Sequence, residues 1–207
     1  MSLFITFEGV EGCGKTYQSR VLYKKLIASG IETIHTYEPG GTDLGNYLRH
    51  LLKRKREYKI PAESEVFLFA ASRFHLVNEI ILPGIRSGKA VICDRFHDST
   101  TVYQGYGRGV DLNIIEAVHR MVLQGVRPDI TILLDIPAEE GLSRKKTAND
   151  RFEQENIEFH RRVRNGYLEL ASKEPDRWFV VDGTLPRARI SRILWEKVSS
   201  LVSHVKD

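Results

Sequence analysis

The sequence predicts an α/β fold in three layers: a five-stranded parallel sheet with helices on both faces and a short lid. Three observations carry that expectation. Five short apolar runs alternate with helix-period segments from one end of the chain to the other. The first run ends in a glycine-rich loop that opens a helix. The 207 residues suffice to bury such a core as one domain, and no repeat, low-complexity tract or Pro/Ser-rich linker divides them.

Residues 3–7 are a short apolar run ended by Glu8-Gly9, as suits a buried parallel strand. From Lys15, residues Val21, Leu22, Leu26 and Ile27 gather on one helical face, and Gly30 closes the helix. Residues 31–37 read as a second strand, and Glu38-Pro39-Gly40-Gly41 as a turn. Thr42 or Asp43 then caps a helix running to about residue 52. Residues 63–82 form a long helix that Pro83-Gly84 should stop. The third strand is 89–93, a helix follows over 112–124, and the fourth strand is 129–136. A helix starting at Phe152 keeps Phe159, Val163, Tyr167 and Leu170 on one stripe. The fifth strand is 177–181. In the last helix, 190–205, Ile193, Leu194, Val198, Leu201 and Val202 recur at intervals of three and four. Residues 144–151, RKKTANDR, are polar and basic with no apolar anchor, and are expected to be an exposed, mobile lid.

Composition narrows the class. Apolar residues at 42% and charged residues at 28% fit a soluble globular chain. No apolar run approaches the roughly 20 residues a bilayer span needs, and the start, MSLFITFEG, lacks a basic n-region and a small-residue cleavage site. A cytoplasmic protein with no membrane partner is expected. Cys13 and Cys93 are not in CxxC spacing and are expected to be reduced thiols. The net charge of +4 suits an anionic ligand or nucleic acid, and equally an ordinary mixed surface.

Gly9-Val10-Glu11-Gly12-Cys13-Gly14-Lys15-Thr16 matches GxxxxGK[ST] in full, between a predicted strand and a predicted helix. The glycines let backbone N–H groups curl round an anion, and the helix N-terminus adds partial positive charge. Lys15 would reach the β- and γ-phosphates, and the Thr16 hydroxyl would bind Mg²⁺. The motif points to a P-loop NTPase fold binding a nucleoside triphosphate, without naming the reaction.

Asp94-Arg95 lies just after the third strand, at the carboxyl end of the sheet where α/β ligands bind. Asp94 would hold a magnesium-bound water, and Arg95 would offer a planar fork to an acceptor phosphate. A solvated ion pair would leave the same dipeptide. Phe69 and Arg73 stand four apart on a predicted helix, so a base could stack on the ring while the guanidinium reaches its polar edge. An aromatic inside Val66-Phe67-Leu68-Phe69 is equally a core residue. Thr100 and Gln104 are also four apart, with Tyr103 on nearly the same face, in a polar glycine-rich stretch that is expected to stay out of the core.

At these residues the chain resembles bacterial thymidylate kinases over nearly its whole length. The matching stretches are FEGVEGCGKT at 7–16, EPGGT at 38–42, FLFAASR at 67–73, DRFHDSTTVYQG at 94–105 and RPDITILLD at 127–135. The resemblance implies that Phe69 stacks on thymine and that Arg73, Thr100 and Gln104 contact the base edge. It implies that Arg95 binds the acceptor phosphate, with Ser99 a further acceptor contact. Glu11 would lie near the sugar 3′-hydroxyl, and Tyr103 where a ribose 2′-hydroxyl would sit. It further implies a homodimer that makes thymidine diphosphate for DNA synthesis. Three positions depart from the family pattern: Tyr37 where an Arg is common, Phe96 in place of Tyr or His, and Tyr17 in place of a small hydroxyl residue.

No P-loop position is basic beyond Lys15, so transition-state charge has to be met from elsewhere. Arg144, Lys145, Lys146 and Arg151 form the dense basic cluster of the lid, and Arg144 and Arg151 are favoured because a guanidinium holds two phosphate oxygens at once. Three other readings stay open. One is a kinase for another nucleotide or a nucleoside. One is a regulatory nucleotide-binding module, although the NKxD guanine-recognition run is absent from the sequence. The last is a nucleic-acid-stimulated ATPase, against the expectation of no nucleic-acid partner.

Overall fold

The computed structural model describes residues 2–54, 59–145 and 151–203. Strands β1 (Phe4–Glu8), β2 (Thr33–Tyr37), β3 (Ala90–Asp94), β4 (Ile130–Asp135) and β5 (Trp178–Asp182) form one parallel sheet in the order β2-β3-β1-β4-β5. The central strands β1 and β3 are buried throughout and read as nearly continuous apolar runs, while the edge strands β2 and β5 are part exposed. Along β1, Phe4 packs into one apolar cluster with Leu76, Val77, Ile81 and Val91. Ile5 and Phe7 pack into another with Leu22, Leu26 and Val163 on the opposite face. That two-residue alternation is what calls for helices on both sides of the sheet.

The helices are α1 (Lys15–Ala28), α2 (Asp43–Lys53), α3 (Ala62–Leu76), α4 (Leu82–Arg86), α5 (His97–Thr100), α6 (Leu112–Leu123), α7 (Ala138–Ser143), α8 (Ile157–Lys173) and α9 (Arg187–Ser203). Thr42 caps α2, its hydroxyl accepting from the Gly45 N–H at 3.1 Å. Residue 146 and the rest of the expected lid through 150 lie outside the described residues, as does 205 at the end of the last helix.

Three expectations are corrected. The long helix does not stop at Pro83. A π-helical stretch, Val77–Ile81, links α3 to α4, and the Leu82 N–H reaches back to the Val77 carbonyl. That wide turn shifts the hydrogen-bond register by a residue where Pro83, lacking an N–H, enters the next turn. The real stop is Gly88, where Gly88 N–H to Ile85 O and Lys89 N–H to Gly84 O, both 3.0 Å, close the end.

The second correction concerns α8, which begins at Ile157 rather than Phe152. The Asn156 side chain accepts from the Phe159 N–H at 2.9 Å and sets the start. Thirdly, the glycine-rich stretch lies inside. Thr101–Gly107 is π-helical, Tyr103, Gln104, Gly105 and Gly107 are buried, and a Cβ on Gly107 would come within 2.6 Å of the Phe159 ring. Glycine there is an opening for a neighbouring ring, not a sign of exposure.

The continuous helical run Ala62–Arg86, 25 residues with an 18-residue window of mean hydropathy 1.3, is long and apolar enough to cross a bilayer by length and composition. Its Leu76, Val77 and Ile81 pack on the sheet, and its Glu65, Ser72 and Arg73 are buried polar residues.

Candidate functional site

The parallel register brings the two functional loops together. Phe7 pairs with Asp94, and the Arg95 N–H donates to the Phe7 carbonyl at 2.9 Å, so the loop after β1 and the turn after β3 leave the sheet side by side. The P-loop spans 9–14 and feeds α1. Its back rests directly on α7: a Cβ at Gly12, where φ is +72°, would sit 2.0 Å from the Gly141 carbonyl oxygen. Only glycine satisfies both the left-handed backbone and that approach. Lys15 is buried and folds over the loop, its Nζ donating to the Gly9 and Val10 carbonyls at 2.9 and 2.8 Å and to Cys13 Sγ at 3.4 Å. The Thr16 hydroxyl donates to Asp94 Oδ2. Glu11, Gly12, Cys13, Gly14, Lys15 and Thr16 line an open cleft. Both cysteines are free and buried.

A second, smaller cavity adjoins the cleft, the two sharing Glu11, Glu38, Lys53 and Arg95. Arg95 takes a left-handed φ of +71°, which costs a non-glycine residue of order 1–3 kcal/mol. Its guanidinium is held against that strain. Nη1 donates to Gly9 O, Ser99 Oγ and Tyr167 Oη at 3.1, 3.1 and 3.2 Å. Nη2 donates to Glu11 Oε1 and Tyr103 Oη at 3.0 and 3.1 Å. Tyr103 in turn donates to Glu11 Oε2 at 2.6 Å. Burial pushes the Tyr103 phenol well above its ordinary value, so it keeps its proton. Burial opposes ionisation of Glu11, but Arg95 and Lys15 beside it hold its carboxyl below the usual range. Behind them, burial and the nearby Asp98 raise Glu8 to about 7, although its carboxylate accepts from Phe96 N–H, Ser99 Oγ and Tyr167 Oη at 2.7, 2.6 and 2.8 Å.

The far wall of the cavity is built from two polar stripes that face each other. On α3, Glu65, Phe69 and Arg73 are spaced by four. Opposite them, Thr100, Gln104 and Arg108 are spaced by four through the π-helical turn. Arg73, 1% exposed, grips the buried Glu38 through Nε at 2.8 Å and Nη2 at 2.6 Å, and donates from Nη2 to Thr100 Oγ1 at 2.8 Å. Gln104 Nε2 donates to Glu65 Oε2 at 2.8 Å. Two polar atoms are left over, both buried: Arg73 Nη1, a donor, and Gln104 Oε1, an acceptor. Phe69 is half-buried and lines the same cavity, 6.0 Å from the Phe152 ring. It belongs both to the core's margin and to the site.

The lid arginines part company. Arg144 lines the P-loop cleft, donating to the Gly183 carbonyl at 3.1 Å and pairing with Glu140. Arg151 is beside the smaller cavity, paired with Glu65, donating to the Leu52 carbonyl and lying 4.5 Å from the Phe152 ring centroid. Among the three departures, Tyr37 donates to Asn46 Oδ1 at 3.0 Å under the Arg49 guanidinium. Phe96 is buried edge-on to Phe4 at 5.1 Å. Tyr17 lies at the cleft under Arg187 at 5.1 Å.

Sequence reasoning passed over Glu38, Glu65, Phe152 and Glu8. Glu65 had a signal, since the Phe69–Arg73 step carried one turn back lands on it. Glu8 and Glu38 showed only as strand-end and turn residues, and nothing local marked Phe152 as a cavity wall.

Comparison with known proteins bears on this geometry. Residues 7–192 match the family model described as thymidylate kinase. A thymidylate kinase of Dehalococcoides mccartyi (strain BAV1) is 46% identical over 203 residues, covering 98% of each chain. One from Nostoc punctiforme is 46% identical over 196 residues, 93% of each chain. The crystal structure of thymidylate kinase from Ehrlichia chaffeensis aligns with a TM-score of 0.75 at 36% identity, over 93% of this chain and 98% of that one.

Proposed function

We propose, for a chain that belongs to the thymidylate kinase family, that the small cavity takes the thymine base of dTMP and the P-loop cleft takes ATP. The reaction is the one that defines the family, transfer of the γ-phosphate of ATP to dTMP to give dTDP and ADP.

The observation that carries the acceptor reading is the pair of buried, unpartnered atoms in the cavity. Thymine presents an O4 acceptor and an N3–H donor along one edge. Arg73 Nη1 is a free donor and Gln104 Oε1 a free acceptor, so each finds its complement. Cytosine reverses both groups and would leave two buried polar atoms unpaired, which costs about 1–3 kcal/mol each. Phe69 supplies the stacking face, Thr100 holds Arg73, and Ser99 holds Arg95. We assign Arg95 to the acceptor phosphate, Glu11 to the sugar 3′-hydroxyl and Tyr103 to the space at C2′, where its ring would crowd a ribose.

The chemistry asks little of a general base, because a phosphate monoester is already a nucleophile at neutral pH. It asks for alignment and charge. Residues Gly9 to Thr16 cradle the triphosphate, and Lys15, now donating to loop carbonyls, transfers those bonds to phosphate oxygens. The adjoining cleft and cavity meet at Glu11 and Arg95, which supports an in-line approach there. Arg144 and Arg151 are the arginines proposed to meet the charge of the transferred group, and Arg144, which lines the cleft, is the better supported. Thr16 and Asp94, hard oxygen donors bonded to each other at the loop, fit Mg²⁺, which bound with ATP neutralises phosphate charge.

We read residues 1–207 as one cytoplasmic kinase domain with its lid at 144–151, and ATP and dTMP, not nucleic acid or membrane, as its partners. A homodimer is supported by large apolar side chains left exposed on packed neighbours: Phe67 and Phe74 on α3, and Ile114 and Met121 on α6. Light scattering after size exclusion checks the dimer. Phosphorus NMR of ATP with each deoxynucleoside monophosphate tests the substrate: dTMP should be phosphorylated fastest and dCMP slowest. Equal rates for dTMP and dCMP would remove the base-edge assignment.

A further inference from the structure

The chemistry of a glutamine depends on which way round its amide lies, since one end donates and the other accepts. At Gln104 the choice is made by a neighbour. Glu65, on α3, is fully buried, and a carboxylate can only accept hydrogen bonds. Its Oε2 receives Gln104 Nε2 and Arg108 Nε, each at 2.8 Å, and its Oε1 pairs with Arg151 Nη1. Both oxygens are thus engaged, and two guanidiniums balance the buried charge. Gln104 has to turn its NH₂ group to Glu65, which leaves Oε1 as the buried, free end.

We propose that Glu65 is a positioning residue for base selection: by holding the NH₂ of Gln104 it fixes an acceptor opposite position 3 of the acceptor base. A base bearing N3–H is then read, and a base with a bare N3 lone pair is refused. The inference rests on the reading that thymine occupies the cavity. With the amide reversed, Gln104 would offer a donor to N3 and would favour cytosine at that position. Arg108 and Arg151 serve the same end, because they hold the carboxylate that holds the amide. Arg108 is itself anchored to Glu155 at 2.9 Å, and Arg151 to the Leu52 carbonyl, so four segments of the chain set the orientation of one side chain.

The test compares dTMP with 5-methyl-dCMP, two acceptors that share the methyl group and differ at the N3 and position-4 edge. In Glu65→Gln the neutral amide can donate or accept, so Gln104 is freed to turn. The ratio of kcat/KM for dTMP over 5-methyl-dCMP should fall by about tenfold or more, the scale of a buried hydrogen-bond group left unpaired, with KM for ATP unchanged. Because both acceptors meet the same enzyme sample, a smaller folded fraction cancels from the ratio. An unchanged ratio overturns the proposal. Gln104→Ala separates the two layers. If it leaves the ratio intact, Gln104 does not read the base and the underlying assignment fails. If it collapses the ratio while Glu65→Gln does not, only the positioning role fails. Should Glu65→Gln not fold, nitrogen-15 NMR of the unsubstituted protein decides. The Gln104 NH₂ protons should exchange far more slowly than those of the exposed Gln124 and Gln154. Equally fast exchange overturns the proposal.

Discussion

The P-loop cleft and the smaller cavity, proposed to take ATP and the base of dTMP, are built in different ways. The P-loop is one contiguous run, positions 9–16, whose donors are largely backbone N–H groups and whose lysine, in this structure, is satisfied by the loop's own carbonyls. The cavity is assembled from Glu11 of the loop, the turn after β2, the end of α2, α3, the turn after β3 with α5, the π-helical stretch and the segment before α8, and it keeps one donor and one acceptor buried and unpaired. A backbone cradle reads charge and tolerates neighbours of many kinds. A cavity of side chains reads a pattern of hydrogen bonds, and each reader needs a second residue to hold it.

The largest effect should come from the cradle. Lys15→Ala removes the charge proposed to meet the phosphates without touching the apolar core, and kcat should fall by roughly 10²–10³ with the circular dichroism spectrum intact. Near-normal turnover in a folded variant would break the P-loop half of the comparison. Next comes the lid. Arg144→Ala, measured at saturating ATP and dTMP, should lose kcat by more than about a hundredfold on the arginine-finger scale. Arg151→Ala, beside the smaller cavity, is measured in parallel. If both stay within a few-fold of the parent, charge from the lid is not needed.

A smaller effect is expected in the cavity, and of a different kind. Phe69→Ala should raise KM for dTMP by roughly 5- to 150-fold, since base–aromatic stacking is worth about 1–3 kcal/mol, while KM for ATP changes little. A variant that unfolds without a selective effect on dTMP would make Phe69 a core residue instead.

The smallest effect tests the support behind the cavity. His97 and His119 lie edge to face at 5.3 Å, and burial holds them at about 4 and about 2. Below pH 6.5 the unfolded chain takes protons that the folded chain refuses at these sites, so stability falls as pH falls. Glu8, raised to about 7 by burial, works the other way: between pH 4.5 and 7 the folded chain holds a proton that the unfolded chain has released. Each buried histidine works towards a loss of up to about 1.4 kcal/mol per pH unit on going from pH 6.5 towards 4.5, offset in part by Glu8 and by Glu38, which burial also raises. His35, also lowered by burial, adds to the same side. His119→Gln keeps a partner for Thr101 but cannot titrate, so denaturant melts across that range should show a shallower slope. An unchanged slope would mean that His119 is not buried neutral.

How much of this was legible beforehand differs by element. The five strands were found within one or two residues at each end, because buried parallel strands are short apolar runs with glycine or charge at their ends. The end of the long helix and the place of the glycine-rich stretch were missed where the backbone left the α-helical period, and the start of α8 where Asn156 caps it. Pro83 and Gly105 look like breakers in sequence, yet π-turns absorb the first and close packing against Leu112 uses the second. Phe69 and Arg73 could be paired by their spacing of four, but not Arg73 with Glu38.

The sequence by itself determined the α/β alternation, the P-loop with Lys15 and Thr16, and the placing of Asp94-Arg95 at a strand end, because each of these is local. A helix N-terminus and a run of glycines make a phosphate site wherever they occur together. Only the tertiary structure decided the rest. Glu65 meets Gln104 across 39 residues, Arg73 meets Thr100 across 27, and Tyr103 meets Glu11 across 92. Which end of an amide stays free, and which charge is balanced, depends on what burial brings within about 3 Å. Buried polar groups must find partners or pay for their absence. No spacing along the chain records which partner each one will find.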